Sequence, residues 1–172
     1  MSTLPILDLR DELHRIHPGA FAWAVRCCRG DRDAAEDVLH AAYAKVLEGR
    51  ARFEGQSTFR TWLFGVIRMT AREERRWHWL QFERLERWWQ TSQHDNPPGV
   101  DLHDDDDRIA DLTVALRRLS KRQQEVLHLV FYQSLTIQDA ATVLEMPVGT
   151  ARTHYERGKA RLRTLLRAEG QV

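Results

Sequence analysis

One aperiodic stretch, Thr91 to Asp107, interrupts an otherwise helical chain and divides it into two folding units. It collects Asn96, Pro97, Pro98 and Gly99, then four consecutive aspartates, Asp104 to Asp107. Such residues break helices or repel one another in water, so the segment reads as a solvated, flexible linker. On both sides of it apolar residues recur at three- and four-residue spacing, and no alternating β-branched run reads as strand. The expected fold is all-α: a helical domain at 1–92, an acidic linker at 93–108 and a second helical domain at 109–172.

Charge is distributed unevenly over this plan. The formal net charge of +1 conceals −2 over residues 1–49, +4 over 50–94, −6 over 95–111 and +5 over 112–172. Two basic blocks flanking an acidic one suggest two surfaces that face polyanions. With 42% hydrophobic and 30% charged residues, the chain carries enough apolar content for packed cores. No stretch approaches the ~18 unbroken apolar residues of a membrane span. The opening MSTLPILDLRDELHR meets charge too early for a secretory signal, so a cytoplasmic protein is expected.

The first helical region spans Leu7 to Cys28, interrupted near Pro18 and ended by Gly30. A second starts after Asp31 or Asp33 and runs to Gly49, with Leu39, Ala42, Tyr43, Val46 and Leu47 on one face. Arg50 to Gln56 reads as a loop. Ser57 is the expected N-cap of a third helix, which carries Phe59, Trp62, Leu63, Val66 and Ile67 inward and continues to about Gln90. After the linker, Ile109 to Leu119 is helical, and Ser120-x-x-Gln123 is a capping box opening a helix through Phe131. Thr136-x-x-Asp139 is a weaker box, opening a short helix to Leu144.

That short helix, a tight turn at Glu145–Met146 and a long helix with Pro147 in its first turn have helix-turn-helix proportions. If Val148, Ala151, Tyr155, Gly158, Leu162 and Leu165 face inward, Thr150, Arg152, Thr153, His154, Glu156, Arg157 and Arg161 face outward. The outward set suits the DNA major groove: arginine pairs bidentately with guanine, glutamate accepts from cytosine, and other cations reach phosphates. The first turn adds free N–H groups for a phosphate. The plainer alternative is a solvated basic hairpin; the capped helix before it and the turn spacing favour DNA.

The stretch LSKRQQEVLHLVFYQSLTIQDAATVLEMPVGTARTHYERGKARLRTLL resembles the −35-binding domain of bacterial sigma factors of the extracytoplasmic-function group, within the sigma-70 family. Pro147-Val148-Gly149-Thr150 is its most telling part. The resemblance implies that Arg152, Thr153, Glu156 and Arg157 read the −35 element. Glu145 stands where the family usually has glycine, and it is strained if that turn needs a positive φ. Response-regulator output domains share such a motif, so the N-terminal half arbitrates.

There, DAAEDVLHAAYAKVLEGRARFEGQSTFRTWLFGVIRMTAREERR is similar to the −10-binding domain of the same group: an acidic helix, a loop, then Phe-x-x-Trp-Leu. Glu36 and Asp37 lie near a helix start, where carboxylates are favoured anyway. The resemblance implies that they dock a coiled coil of the polymerase's largest subunit. His40 replaces the usual glutamine and would make that contact pH-sensitive. Arg52, Phe53, Gln56, Ser57 and Arg60 suit a pocket for an unpaired base, while Phe59 and Trp62 read as core. Arg68, Arg72, Arg75 and Arg76 suit phosphates, or form a solvated face balanced by Glu73 and Glu74. Met69 stands where asparagine is common, which bears on the −10 preference.

Trp77, Trp79, Leu80, Phe82, Leu85, Trp88 and Trp89 form either core or a docking surface for an inhibitory anti-sigma factor. Cys27 and Cys28 read as helix core, with a redox sensor as the alternative. Neither the His103–Asp107 run nor His14 and His17 makes a metal site, and no catalytic residues, cofactor or small-molecule substrate are expected. The expected partners are core RNA polymerase, promoter DNA and an anti-sigma factor. In the linker, the family's path for emerging RNA would meet an acidic strand. The rival reading is a stand-alone helix-turn-helix regulator that binds duplex DNA unaided; a pure interaction protein is the third class.

Overall fold

A computed structural model describes residues 6–86, 112 and 114–169, and among these there is no strand. The chain divides into two compact units, Met1–Val100 and Asp101–Val172. No helix among the described residues is long and apolar enough to cross a membrane. The expected linker at 93–108, the helix start at Ile109 and the side chains of the aromatic run from Trp77 to Trp89 lie outside the described residues.

The first unit packs three helices pairwise: α1 (Ile6–Cys27), α2 (Arg32–Leu47) and α3 (Phe59–Glu86). Pro18 does not interrupt α1. Leu13, Ile16, Ala20, Trp23, Ala24 and Cys27 are buried in a stripe that runs straight past it, and Pro18 itself faces solvent. Burial of that stripe on both sides outweighs the missing N–H and holds the helix together. Trp23 is 0% exposed; its indole N–H donates to the Phe64 carbonyl of α3 at 3.0 Å, and its ring stacks on that of Phe64. From α2, Ala35, Val38, Leu39, Ala42 and Val46 complete the core, and from α3 Leu63, Phe64, Ile67 and Ala71. Leu47, expected on the inner face, is 49% exposed because it stands one position round the helix from Val46, which is the buried residue of that final turn.

Local chemistry sets the helix boundaries. Arg29 and Gly30 turn left-handed at φ 60° and 97°, and the Gly30 N–H closes back on the Val25 carbonyl at 2.9 Å. Asp31, not Asp33, caps α2, accepting from the Ala34 N–H at 3.0 Å. Thr58, not Ser57, caps α3: its hydroxyl oxygen accepts from the Thr61 N–H at 3.1 Å, whereas the Ser57 hydroxyl donates to the Thr58 carbonyl. Threonine wins because it stands three residues before the amide that needs an acceptor. Between α2 and α3, Lys45 donates to the Thr70 hydroxyl at 3.1 Å and pairs with Glu73. Tyr43, hydrogen-bonded to His17 across α1 and α2, has its phenol pushed up to about 12 by burial.

In the second unit, helical backbone at 114–117 leads to α4 (Lys121–Leu127), a π-helical turn (His128–Tyr132), α5 (Ile137–Leu144) and α6 (Val148–Glu169). The Ser120 capping box closes in both directions, and Thr136 caps α5 through the Asp139 N–H at 3.0 Å. The expected plain helix through Phe131 instead widens after Leu127, with the Gln133 N–H reaching the His128 carbonyl at 3.1 Å. Phe131 and Tyr132 end 61% and 72% exposed. Packed together are Leu119, Val126, Leu127, Leu129, Ala140, Val143, Leu144 and Ala151. At Gly158 of α6 a Cβ would come within 3.1 Å of Gln123 Cβ and Leu127 Cδ1, so α4 and α6 approach as closely as glycine permits.

Two substitutions test this account by thermal denaturation. Trp23→Phe removes the indole donor and shrinks the ring; it should cost about 1–3 kcal/mol, and Trp23→Ala about 3–5 kcal/mol. Glu145 sits at φ 53°, ψ 49° in the turn between α5 and α6. Glu145→Gly should therefore stabilise the second unit by about 0.5–1 kcal/mol, the relief of left-handed strain exceeding the added unfolded-chain entropy.

Candidate nucleic-acid interface

The α5–turn–α6 geometry presents one face of α6 to solvent. The Glu145 N–H closes α5 on Ala141 and Thr142, and its left-handed backbone reverses the chain into Pro147. Pro147 stands just before α6 rather than within its first turn, and its carbonyl accepts from the Thr150 and Ala151 N–H groups at 2.9 and 3.0 Å. Ala151 and Gly158 face the core, and Tyr155, Leu162 and Leu165 are half-buried beside them. Val148, expected inward, is exposed because the first turn projects beyond the core.

With the inner side fixed, Thr150, Arg152, Thr153, Glu156, Arg157 and Arg161 are all exposed, and His154 is half-buried at the edge. Several are already oriented. The Thr153 hydroxyl donates to the Gly149 carbonyl at 2.9 Å, which leaves its oxygen lone pairs outward. Glu156 pairs with Lys159 at 3.4 Å, and Lys159 also lies over the Tyr155 ring. Counting Arg152, Arg157, Lys159, Arg161, Arg163 and Arg167 against Glu156 and Glu169, α6 is strongly basic. A helix of this length, with a polar, cationic face and arginines at its edges, fits a major groove.

Sequence reasoning missed the aromatic flank of this face. Phe131 stacks on Tyr155 at 5.7 Å, and Tyr132 stacks on His128 at 5.2 Å. Helical periodicity could not have signalled them, because the π-helical turn shifts the register after Leu127.

In the first unit, the loop between α2 and α3 brings Arg52, Phe53, Gln56 and Ser57 next to the start of α3. Arg52 and Gln56 are exposed, with Arg52 donating to the Gly49 carbonyl and Gln56 to Glu54. Phe59 and Trp62, expected as core, are only half-buried. They form a three-ring cluster with loop Phe53, centroids 5.3–5.5 Å apart. Arg60 lies over the Phe64 ring at 5.3 Å.

The cationic row on α3 is shorter than expected. Arg72 and Arg76 are exposed, but Arg68 is 5% exposed, on the same helical side as Phe64 and Ala71. Arg75 donates to the Ala71 carbonyl, and its charge opposes the rise that burial imposes on the Cys28 thiol. On α2, Glu36, Asp37 and His40 are exposed together, three and four residues apart. Only Asp33 lies in the first turn, so the helix dipole does not account for Glu36 and Asp37. Among the described residues no group of three or more His, Cys, Asp or Glu could hold a metal ion.

Comparison with known proteins matches both units. Residues 13–80 match Sigma-70 region 2, and residues 109–162 match Sigma-70, region 4. The ECF RNA polymerase sigma factor EcfG of Rhodopseudomonas palustris is 26% identical over 97% of this chain and 90% of its own. SigX of Bacillus subtilis, an ECF RNA polymerase sigma factor, is 30% identical over 81% of this chain and 75% of its own. The sigma factor RpoE of Bartonella quintana, solved with the anti-sigma factor NepR, superposes with a TM-score of 0.69 at 25% identity, covering 93% of this chain and 97% of that one. CnrH, solved with the cytosolic domain of CnrY, shares the fold with a TM-score of 0.59 at 22% identity, over 92% and 87% of the two chains. With both regions present in order on one chain, the protein belongs to the sigma-70 family as a sigma factor of the extracytoplasmic-function group.

Proposed function

We propose a division of labour within a factor that directs RNA polymerase to promoters. α6 enters the major groove of the −35 element, with Arg152, Thr153, Glu156 and Arg157 at base edges and Thr150, His154 and Arg161 toward the backbone. The loop residues Arg52, Phe53, Gln56 and Ser57, with Arg60, hold an unpaired base of the −10 element, while Arg72 and Arg76 neutralise its strand. Arg68 supports this face from inside rather than touching phosphate. Glu36, Asp37 and His40 dock a basic surface of core polymerase. The observation that carries the reading is the coexistence of both sigma-70 regions, each with its polar face exposed.

The protein works in the cytoplasm, carries out no chemistry of its own, and joins domains at 1–92 and 109–172 through the acidic segment 93–108. An anti-sigma factor holds it inactive, as the matched RpoE and CnrH are each seen with a protein partner. The test is transcription by reconstituted holoenzyme from a promoter selected out of a random library. Arg152→Ala with Arg157→Ala should lower output by about tenfold or more while leaving co-elution with core intact. Undiminished output would overturn the assignment of α6 to the −35 element.

A further inference from the structure

A carboxylate on a helix that approaches DNA meets the negative field of the phosphates and needs a counter-charge. Glu156 is the one acidic residue from Val148 to Ala168, and it stands on the exposed face beside Arg152, Thr153 and Arg157. α6 carries five arginines and a single lysine, and it is the lysine that meets Glu156. Lys159 Nζ lies 3.4 and 3.5 Å from the two carboxylate oxygens. As an ion pair on one helix this is worth little to the fold, so its place on the reading face asks for another reason.

What holds Lys159 supplies that reason. A lysine ammonium is a point charge on a flexible four-carbon stem, so its position must be set by what it rests on. Here it lies over the Tyr155 ring, 4.8 Å from the centroid, and the side chain is only 28% exposed. Tyr155 is in turn stacked on Phe131, at 5.7 Å and an interplanar angle of 25°. Phe131 belongs to the π-helical turn, and it is too exposed to be a core residue; its ring contact is with Tyr155. A continuous row therefore runs from the widened turn through two rings and an ammonium to the one carboxylate on the reading face. A lysine gripped between a ring and a carboxylate is poorly placed to swing onto a phosphate, and well placed to orient its partner.

We propose that Lys159, seated on Tyr155 and Phe131, is a positioning residue that neutralises the Glu156 carboxylate and aims it at one cytosine of the −35 element. This rests on the α6 reading given above and adds to it the support behind one of its base contacts. The ammonium offsets the repulsion between Glu156 and the flanking phosphates. It occupies one side of the carboxylate, and the remaining lone pairs accept from the cytosine amino group.

The test uses holoenzyme assembled from the full chain and core RNA polymerase, with the selected promoter and fragments in which each −35 base pair is changed in turn. Glu156→Ala identifies the pair that Glu156 reads, as the one where discrimination falls by about tenfold. Lys159→Met and Lys159→Gln should lower discrimination at that same pair by about threefold and leave the other pairs unchanged. Lys159→Arg, which keeps a cation over the ring, should restore it, and Phe131→Ala should act in the same direction as Lys159→Met. If the two lysine variants instead weaken all fragments equally and reduce the salt slope by about one, Lys159 is an ordinary phosphate contact and the proposal is overturned. It is overturned as well if they change nothing while Glu156→Ala still does; in both cases the α6 reading stands. If Glu156→Ala alters no pair, the base contact of Glu156 fails and the proposal fails with it. An unchanged Phe131→Ala overturns the aromatic seat. Should one lysine variant melt early, the other decides.

Discussion

The contact between Trp23 and Phe64 fixes the geometry on which the first unit depends. A fully buried indole must place its N–H on an acceptor, and the Phe64 carbonyl in α3 supplies one at 3.0 Å. That bond, with the stacked rings, sets both the rotation and the height of α3 against α1. The residues proposed to meet single-stranded DNA are referred to this register: Arg52, Phe53, Gln56 and Ser57 in the loop before α3, and Arg60, Arg72 and Arg76 on it. The Lys45 bridge to Thr70 and Glu73 repeats the constraint about two turns further along α3, from α2. Because the fixing atoms are buried and the functional ones are not, the exposed row can vary without disturbing the fold.

The second unit uses backbone in place of an aromatic anchor. Gly158 lets α6 press against Gln123 and Leu127 of α4, which determines the side of α6 that is hidden. The opposite side is then the polar face, from Arg152 and Glu156 through Thr153 to Arg157. The left-handed Glu145 sets the angle at which α5 delivers the chain to α6. A glutamate there stores strain that a glycine would not.

Interactions contained within a few residues were legible in the sequence. The Ser120–Gln123 box, the Thr136 cap and the outward set on α6 depend on spacing, whereas the left-handed backbone at Glu145 is signalled only by the family's usual glycine there. Features decided by tertiary packing were not. Pro18 reads as a break until the buried stripe on either side is known, and Arg68 reads as surface until Phe64 and Ala71 are seen on its side of the helix. The π-helical turn after Leu127 leaves no periodic trace, so exposed Phe131 and Tyr132 could not be foreseen. Ser57 and Thr58 are equivalent as residue types; only the position of the Thr61 amide separates them.

The central claim is that neither unit selects a promoter unaided: core polymerase must bring the −35 reader and the strand-capturing face into use together. The most direct measurement is binding of a promoter fragment by the purified protein with and without core RNA polymerase, alongside a Glu36→Lys, Asp37→Lys variant. Specific binding should appear only with core, and the variant should lose both core association and promoter binding. Tight, specific binding of duplex DNA by the protein alone, with no association with core, would contradict the account and leave an ordinary helix-turn-helix regulator in its place.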